Sequence, residues 1–280
     1  MQIKGSWSFA TLLLATVAAA PARAEDFIPG GEEQFKFTIG GVLASINSSI
    51  GIDGATNNGT LIDLNGPTGN KNATSVVLGA TWRPASNHRI SGMFFQTKKT
   101  RSLAFGQTVT IGDDSLVPPT TLATTAKNRF LFATYEYSFV KKNNIEIAGL
   151  LGAYLNKFSA DLTGTATVKN SNGTTTVNKT VDYRPSVTVP MPLIGASLNW
   201  HASPQITLGT SLSGLKAKIG DVDGSVYVVT ASAEYMFTRN FGAGLAYMHA
   251  NANVDINKRS FVGTIDWKND NVLLYATAKF

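Results

Sequence analysis

Seven charged side chains are spaced along the chain so that they could meet inside a closed β-sheet. Each falls on the polar face of an alternating segment and lies close to a tight turn. Unpaired ions are costly in a narrow interior, so we expect opposite charges at one level to pair. The set is Lys36, Arg83, Arg89, Lys279, Glu136, Glu146 and Glu234. Two hypotheses follow: a structural plug, or a gate or selectivity ring in a narrow pore.

The histidines offer little catalytic chemistry. His88 and His201 lie at tight turns, where a solvated residue is expected. His249 lies in a segment that resembles the histidine-serine motif of lipid A deacylases, which are outer-membrane enzymes. That family has serine two residues after the histidine, whereas this chain has Asn251, and a histidine-activated nucleophile needs a hydroxyl or thiol. We therefore predict no enzyme and no cofactor, with an outer-membrane lipid-modifying enzyme as an alternative.

The segments that position these residues alternate like strands, and the last one is the clearest. Its apolar residues occupy every second position from Val272 to Phe280, which indicates a strand with two different faces. Ten tilted residues are enough to cross a hydrocarbon layer. This segment resembles the terminal assembly signal of bacterial outer-membrane β-barrels. The resemblance implies that Phe280 is an assembly signal and that the barrel assembly machinery is a partner.

Residues 1–24 have the features of a secretory signal peptide. Lys4 gives a positive start, an apolar stretch follows, and Ala22-Arg23-Ala24 matches a cleavage site. The predicted organisation is a signal peptide at 1–24, a short periplasmic segment at 25–33 and a barrel at 34–280. Export and scattered cations argue against nucleic acid as a partner despite a net charge of +6.

Short and long connections alternate down the chain, which is typical of outer-membrane barrels with short periplasmic turns and long outer loops. Tight connections are predicted at 83–88, 141–144, 201–204 and 238–240, and outer loops at 48–72, 105–122, 166–182, 220–224 and 257–260. Nine connections join ten strands. The predicted fold is therefore all-β, a closed antiparallel transmembrane barrel of about ten strands, with eight or twelve as alternatives.

Aromatic residues gather beside the tight turns, where an interfacial girdle is expected. The predicted girdle is Trp82, Tyr137, Phe139, Trp200, Tyr235 and Phe237. The predicted function is an integral outer-membrane protein, either a structural barrel or a narrow passive channel. Phe130, Phe132 and Leu150 fall on the inward face, and they keep a soluble or periplasmic lipid-binding β-barrel open as an alternative.

The mature chain is similar to a group of small proteobacterial outer-membrane barrels of unassigned function. The similarity rests on residues 59–64, 88–89, 190–193 and 235–240. The first loop of that group continues with acidic residues, whereas here residues 65–69 read Asn-Gly-Pro-Thr-Gly. A cation-binding role of that loop is therefore not carried over.

Many cations fall in the outer loops or at the strand ends beside them. They are Lys98, Lys99, Arg101, Lys157, Lys169, Lys179, Arg184, Lys216, Lys218, Lys258 and Arg259. These residues form either a solvated face or a set of contacts to lipopolysaccharide, because Lys and Arg pair strongly with phosphate. Outer-membrane lipid and lipopolysaccharide are the expected partners, and the sequence assigns no oligomeric state.

The alternation changes phase in the last two predicted strands. Apolar residues are odd-numbered in 241–247 but even-numbered in 250–256, and a second change separates 261–267 from 272–280. A β-bulge produces such a one-residue change of phase. We hypothesise that 248–267 forms a twisted hairpin above the bilayer, with a buried apolar face and with His249 on its polar face.

Overall fold

The computed structural model describes residues 27–55, 58–63, 72–142, 144–170, 172–258 and 261–280. The signal peptide predicted at 1–24 lies outside these residues and stays a prediction. So does the loop at 65–69. Among the residues described, no helix has the length and apolarity needed to span a membrane.

Thirteen strands make up the described part of the chain. They are β1 (Phe35–Ile50), β2 (Ile62–Asp63), β3 (Asn72–Ala85), β4 (His88–Phe105), β5 (Val109–Ile111), β6 (Asp114–Lys142), β7 (Ile145–Asn170), β8 (Thr175–Tyr183), β9 (Ser186–His201), β10 (Ile206–Ile219), β11 (Val222–Met236), β12 (Phe241–Lys258) and β13 (Phe261–Lys279). Ten of them close into an antiparallel ring, β1-β3-β4-β6-β7-β9-β10-β11-β12-β13, because β13 pairs with β1. The short strands β2, β5 and β8 pair with β1, β6 and β7. The predicted ten-stranded barrel is confirmed.

Two of the predicted outer loops are mostly strand. β6 begins at Asp114 and β7 continues to Asn170, so the ladder between them extends through much of 105–122 and 166–182. These stretches are rich in threonine and valine, whose branched side chains favour strands. The loop predictions there are wrong. Strands that project out of a membrane can be as polar as loops, so their composition does not distinguish the two.

The exterior of the barrel changes from apolar to polar along single strands. On β12, Leu245 and Tyr247 face outward and are exposed, and the next outward residues are His249, Asn251 and Asn253. The inward face changes in the opposite sense. Small residues near the start of β12 give way to a buried apolar series: Met248, Ala250, Ala252, Val254 and Ile256.

This reversal occurs without a bulge. β12 pairs with β13 in one register from Phe241 opposite Ala278 to Lys258 opposite Phe261. The predicted bulge is therefore wrong, because the faces keep their directions and only the surroundings change. Residues 248–267 are also no free-standing hairpin, since β11 and β1 flank them up to Ile256 and Ile265.

We call the part with an apolar exterior the belt section, and the part with a polar exterior and apolar interior the projecting section. The boundary lies between Leu131 and Arg129 on β6, and between Tyr247 and His249 on β12. The belt section includes 241–247 of β12 and 131–142 of β6, so its strands are close to the length of about ten tilted residues that crosses a hydrocarbon layer.

Candidate functional site

Charged residues fill the interior of the belt section near the tight turns. Glu146 is 1% exposed and accepts two hydrogen bonds from Arg83, at 2.9 and 3.1 Å. Ser138 donates a third hydrogen bond to the same carboxylate, and Arg89 Nη1 lies 3.8 Å away. This set of donors keeps a buried carboxylate ionised where an unpaired one would be costly.

Arg89 connects this carboxylate to a second one. Its Nε donates to Glu136 Oε1 at 3.3 Å, and its Nη2 also bonds the other oxygen of Glu136. Ser197, from β9, donates to Glu136 as well. Five strands, β3, β4, β6, β7 and β9, therefore contribute to one continuous network of charged and hydroxyl groups.

Glu234 forms a second group beside the β1–β13 seam. It lies 2.8 Å from Lys279 Nζ and 3.4 Å from Lys36 Nζ. The structure thus brings all seven charged residues into two paired groups, with Glu234 shared by two lysines. Sequence reasoning missed Ser138 and Ser197, because isolated serines on the polar face of a strand give no signal of what they bond.

The N-terminal segment covers this network at the periplasmic mouth. Lys141 Nζ donates to the carbonyl of Gly31 at 2.8 Å, and Gly31 N donates to Glu33 at 2.9 Å. A Cβ on Gly30 would lie 2.0 Å from the ring of His201, so only glycine fits there. The segment predicted as a periplasmic lead-in therefore lies across the mouth, and His201 packs beneath it rather than in solvent.

A cavity of about 320 Å³ lies above the charged network. Its wall is rich in hydroxyl groups, including those of Thr38, Ser91 and Thr134, and its upper end is apolar, with Met93 and Leu273. The interior therefore changes from polar to apolar at this level.

Aromatic rings from four strands close the interior above this cavity. Phe130 stacks on Phe95 at 4.5 Å and on Trp267 at 5.1 Å between ring centroids. Tyr154 lies 5.6 Å from Trp267 and 4.6 Å from Phe132. Both Phe95 and Phe130 are fully buried. We call these five residues the aromatic stack, and it joins β4 and β13 across the lumen.

The predicted girdle residues all face outward in the structure. They are between 44% and 62% exposed: Trp82, Tyr137, Phe139, Trp200, Tyr235 and Phe237. Phe280 also faces outward, and its carbonyl accepts hydrogen bonds from Gln34 and Phe35, which closes the ring at its periplasmic edge. Its role as an assembly signal stays a prediction.

His249 lies on the exterior, at the boundary of the two sections. Its Nδ1 is 2.7 Å from Asp270, and its Nε2 is 3.0 Å from the hydroxyl of Tyr227. These partners come from neighbouring strands, so no local pattern around His249 predicts them. Asn251 faces outward on the same strand and supplies no nucleophile. Within the described residues, no cluster of His, Asp and Glu is arranged to hold a metal ion.

The fold is similar to solved outer-membrane barrels. The outer membrane protease OmpT of Escherichia coli aligns over 92% of this chain and 100% of its own, with 11% identity and a TM-score of 0.55. Ail of Yersinia pestis (88% and 99%, 13% identity) and Neisserial surface protein A (88% and 97%, 12% identity) have TM-scores of 0.33 and 0.36, too low to support an argument. No protein-family model matches the chain, and no curated protein matches its sequence.

The location of the protein follows from the ring and the belt section together. A closed antiparallel ring leaves no unpaired strand edge, which is required in hydrocarbon. The belt section exposes large apolar residues around the barrel, including Leu43, Leu151, Leu212 and Leu274, each more than half exposed. A soluble lipid-binding barrel would not carry such an exterior. The protein is an integral outer-membrane β-barrel.

Proposed function

We propose that the protein is a sealed, non-conducting barrel that acts as a structural and surface component of the outer membrane. The aromatic stack carries this proposal. Its five rings span the lumen, and the residues above it form one buried apolar cluster that includes Ile50, Leu116 and Leu162. An ion entering this packed stretch would lose most of its hydration, although buried side chains such as Asn156 and Asn269 interrupt the apolar lining.

The periplasmic end supports the same proposal. Arg83, Arg89, Glu136 and Glu146 are paired with one another, so none of these charges is left without an opposite charge beside it. The segment around Gly31 lies across them and is held by Lys141. A selectivity ring needs charges that exchange partners with the permeating ion, and such exchange is unfavourable in a network this well paired.

We also propose that the protein has no catalytic activity. His249 has Asp270 on one nitrogen and the hydroxyl of Tyr227 on the other, and Tyr247 donates to the same aspartate. Both tyrosines lie on the exterior near the upper edge of the belt section. Such residues commonly form the outer aromatic rim of a barrel. A hydrolase of this type uses a serine hydroxyl or a thiol beside the histidine, whereas the hydroxyl that His249 contacts here is the phenol of Tyr227.

Planar-bilayer recording of the refolded protein tests the main proposal. We expect no steady current steps, with insertion checked independently by the heat-modifiable shift in gel migration. Ohmic steps from correctly folded protein would show a continuous pore and would contradict it. In that case, the cavity of about 320 Å³ would be part of a permeation path.

A further inference from the structure

Cations are placed directly opposite cations on one side of the projecting section. Lys98 of β4 pairs in register with Lys127 of β6, and Arg129 of β6 pairs with Lys157 of β7. All four point outward. Like charges in directly opposed positions of an antiparallel pair destabilise the sheet. This barrel has two such pairs side by side.

Neighbouring acids compensate this charge only in part. Lys127 Nζ lies 3.6 Å from Asp161, and Arg129 donates to the neutral side chain of Gln96 at 2.7 Å. Among the described residues, neither Lys98 nor Lys157 forms an ion pair. Arg184 reaches the same place from the connection after β8, where it bonds Asp182. We call Lys98, Lys127, Arg129, Lys157 and Arg184 the cationic patch. It carries five cations against two carboxylates.

The patch has a cleft and a defined height. A surface cleft of about 280 Å³ lies between Lys127, Arg129, Lys157 and Arg184. Arg129 and Lys157 are the first outward residues above the apolar Leu131 and Leu155. One outward step along a strand is roughly 7 Å, so the cations stand at the level of lipid head groups.

The opposite side of the barrel differs at the same height. There the carboxylates of Asp270, Asp266 and Asp255 each accept a hydrogen bond from a neighbouring strand, donated by His249, Asn253 and Thr264. That side therefore presents carboxylates, which do not attract an anion. The cationic patch is the side whose charge an external anion at head-group level would neutralise.

We propose that the cationic patch binds the phosphate groups of a phosphorylated glycolipid in the outer leaflet. Lys and Arg form strong charge-assisted hydrogen bonds to phosphate, and one phosphate between two opposed cations removes their repulsion. The chemistry of the site is that of any phosphate, and its height at the edge of the belt section selects a membrane lipid over a free anion. This proposal does not depend on whether the lumen conducts.

The test compares thermal unfolding of the full-length protein in zwitterionic detergent with and without lipopolysaccharide. The probe variant is Arg129→Gln/Lys157→Gln. The control is Lys216→Gln/Lys218→Gln, which removes two outward cations of β10 that face Ser225 and Asp223 instead of cations. We expect phosphorylated lipopolysaccharide to raise the Tm of the wild type and the control, and to bind the probe variant about tenfold more weakly.

Phosphate binding by the patch predicts that the order of the two Tm values, probe variant and wild type, reverses when phosphorylated lipid is added. Without lipid, the probe variant is expected to unfold at or above the Tm of the wild type, because a repulsion has been removed. With phosphorylated lipid, it should unfold below the wild type. The single variant Lys157→Gln repeats the measurement should the double variant fold poorly.

Three outcomes would overturn the proposal. If lipopolysaccharide stabilised the probe and control variants equally, the cationic patch would not be the binding site. If enzymatically dephosphorylated lipopolysaccharide stabilised the wild type as much as the phosphorylated form, phosphate would not be the group that is bound. An equal effect of inorganic phosphate at matched concentration would show that the patch binds a free anion and that the lipid is incidental.

Discussion

The belt section and the projecting section are built from the same strands in one register, yet each is the reverse of the other. In the belt section, Leu245 faces outward and Gly244 faces inward; in the projecting section, Asn253 faces outward and Val254 faces inward. The backbone continues unchanged between them. The comparison shows that the apolar positions of an alternating sequence can change phase for two reasons. One is a β-bulge, and the other, found here, is a strand that passes from lipid into water.

The largest expected effect is a difference in stability loss between alanine substitutions at two phenylalanines of β6. Phe130 is fully buried in the aromatic stack, and Phe139 is 62% exposed on the exterior of the belt section. Phe130→Ala should lower the free energy of unfolding by about 3–5 kcal/mol, because it leaves a cavity among packed rings. Phe139→Ala should cost much less in urea unfolding in lipid vesicles. Equal losses would mean that the interior of the projecting section is not a packed core.

A charge on the exterior should distinguish the two sections next. Leu245→Arg places a cation against hydrocarbon and should cost about 2–4 kcal/mol in vesicle unfolding, falling toward zero near the interface. Asn253→Arg places the same side chain on the same face of β12, opposite Asp266, and should cost almost nothing. Comparable losses at both positions would place the membrane boundary elsewhere.

Cysteine labelling makes the same comparison without adding charge. Single cysteines at Asn253 and Asp266 should react with a membrane-impermeant maleimide on intact cells, because both face water in the projecting section. A cysteine at Ala276 should remain unlabelled because it faces lipid. If the cysteines at positions 253 and 266 were both unreactive in correctly assembled protein, residues 248–267 would lie within the membrane.

The interior of the belt section should show coupling between its charges. Neutralising either Arg89 or Glu136 leaves a partner without its bonds, whereas neutralising both removes the mismatch. A double-mutant cycle of Arg89→Gln and Glu136→Gln should give an interaction energy of about 1–3 kcal/mol. Additive effects within error would mean that solvent screens the pair.

The smallest expected effect lies in the projecting section, where Asp114 holds β8 against β6. Burial alone would raise the pKa of Asp114, but hydrogen bonds from Lys179 at 2.7 Å and Tyr183 at 2.8 Å outweigh it and lower that pKa below its ordinary value. This stabilisation is therefore present above the ordinary pKa of an aspartate and is lost as the pH falls through the lowered value.

The measurement for Asp114 is the Tm difference between the wild type and Asp114→Asn as a function of pH. At neutral pH the wild type should unfold at the higher temperature. In strong acid the two should converge, since the wild-type carboxyl is then also neutral. A difference that stays constant from neutral to acidic pH would show that the charge of Asp114 contributes nothing.

Local patterns in the sequence were sufficient for the ten strands of the ring, the tight turns and the inward charges, but not for the outer ends of β6 and β7. Glu136 and Glu146 sit on the polar face of their strands whatever surrounds them, so their meeting with Arg83 and Arg89 could be anticipated. The aromatic stack could not, because Phe95, Phe130 and Trp267 meet across the lumen only through the stagger of the closed ring. The contact of Gly30 with His201 is equally non-local.

The pairing of β1 with β13 has a consequence for how the unfolded chain must be protected. Lys36 lies opposite Lys279 and Ile50 lies opposite Ile265, so the first strand of the ring is completed only by the last. Contacts of such high sequence separation form late in folding. Until β13 pairs with it, β1 keeps a free edge, and free edges are the usual starting points of aggregation. The complete chain therefore needs protection from self-association until its first and last strands have met.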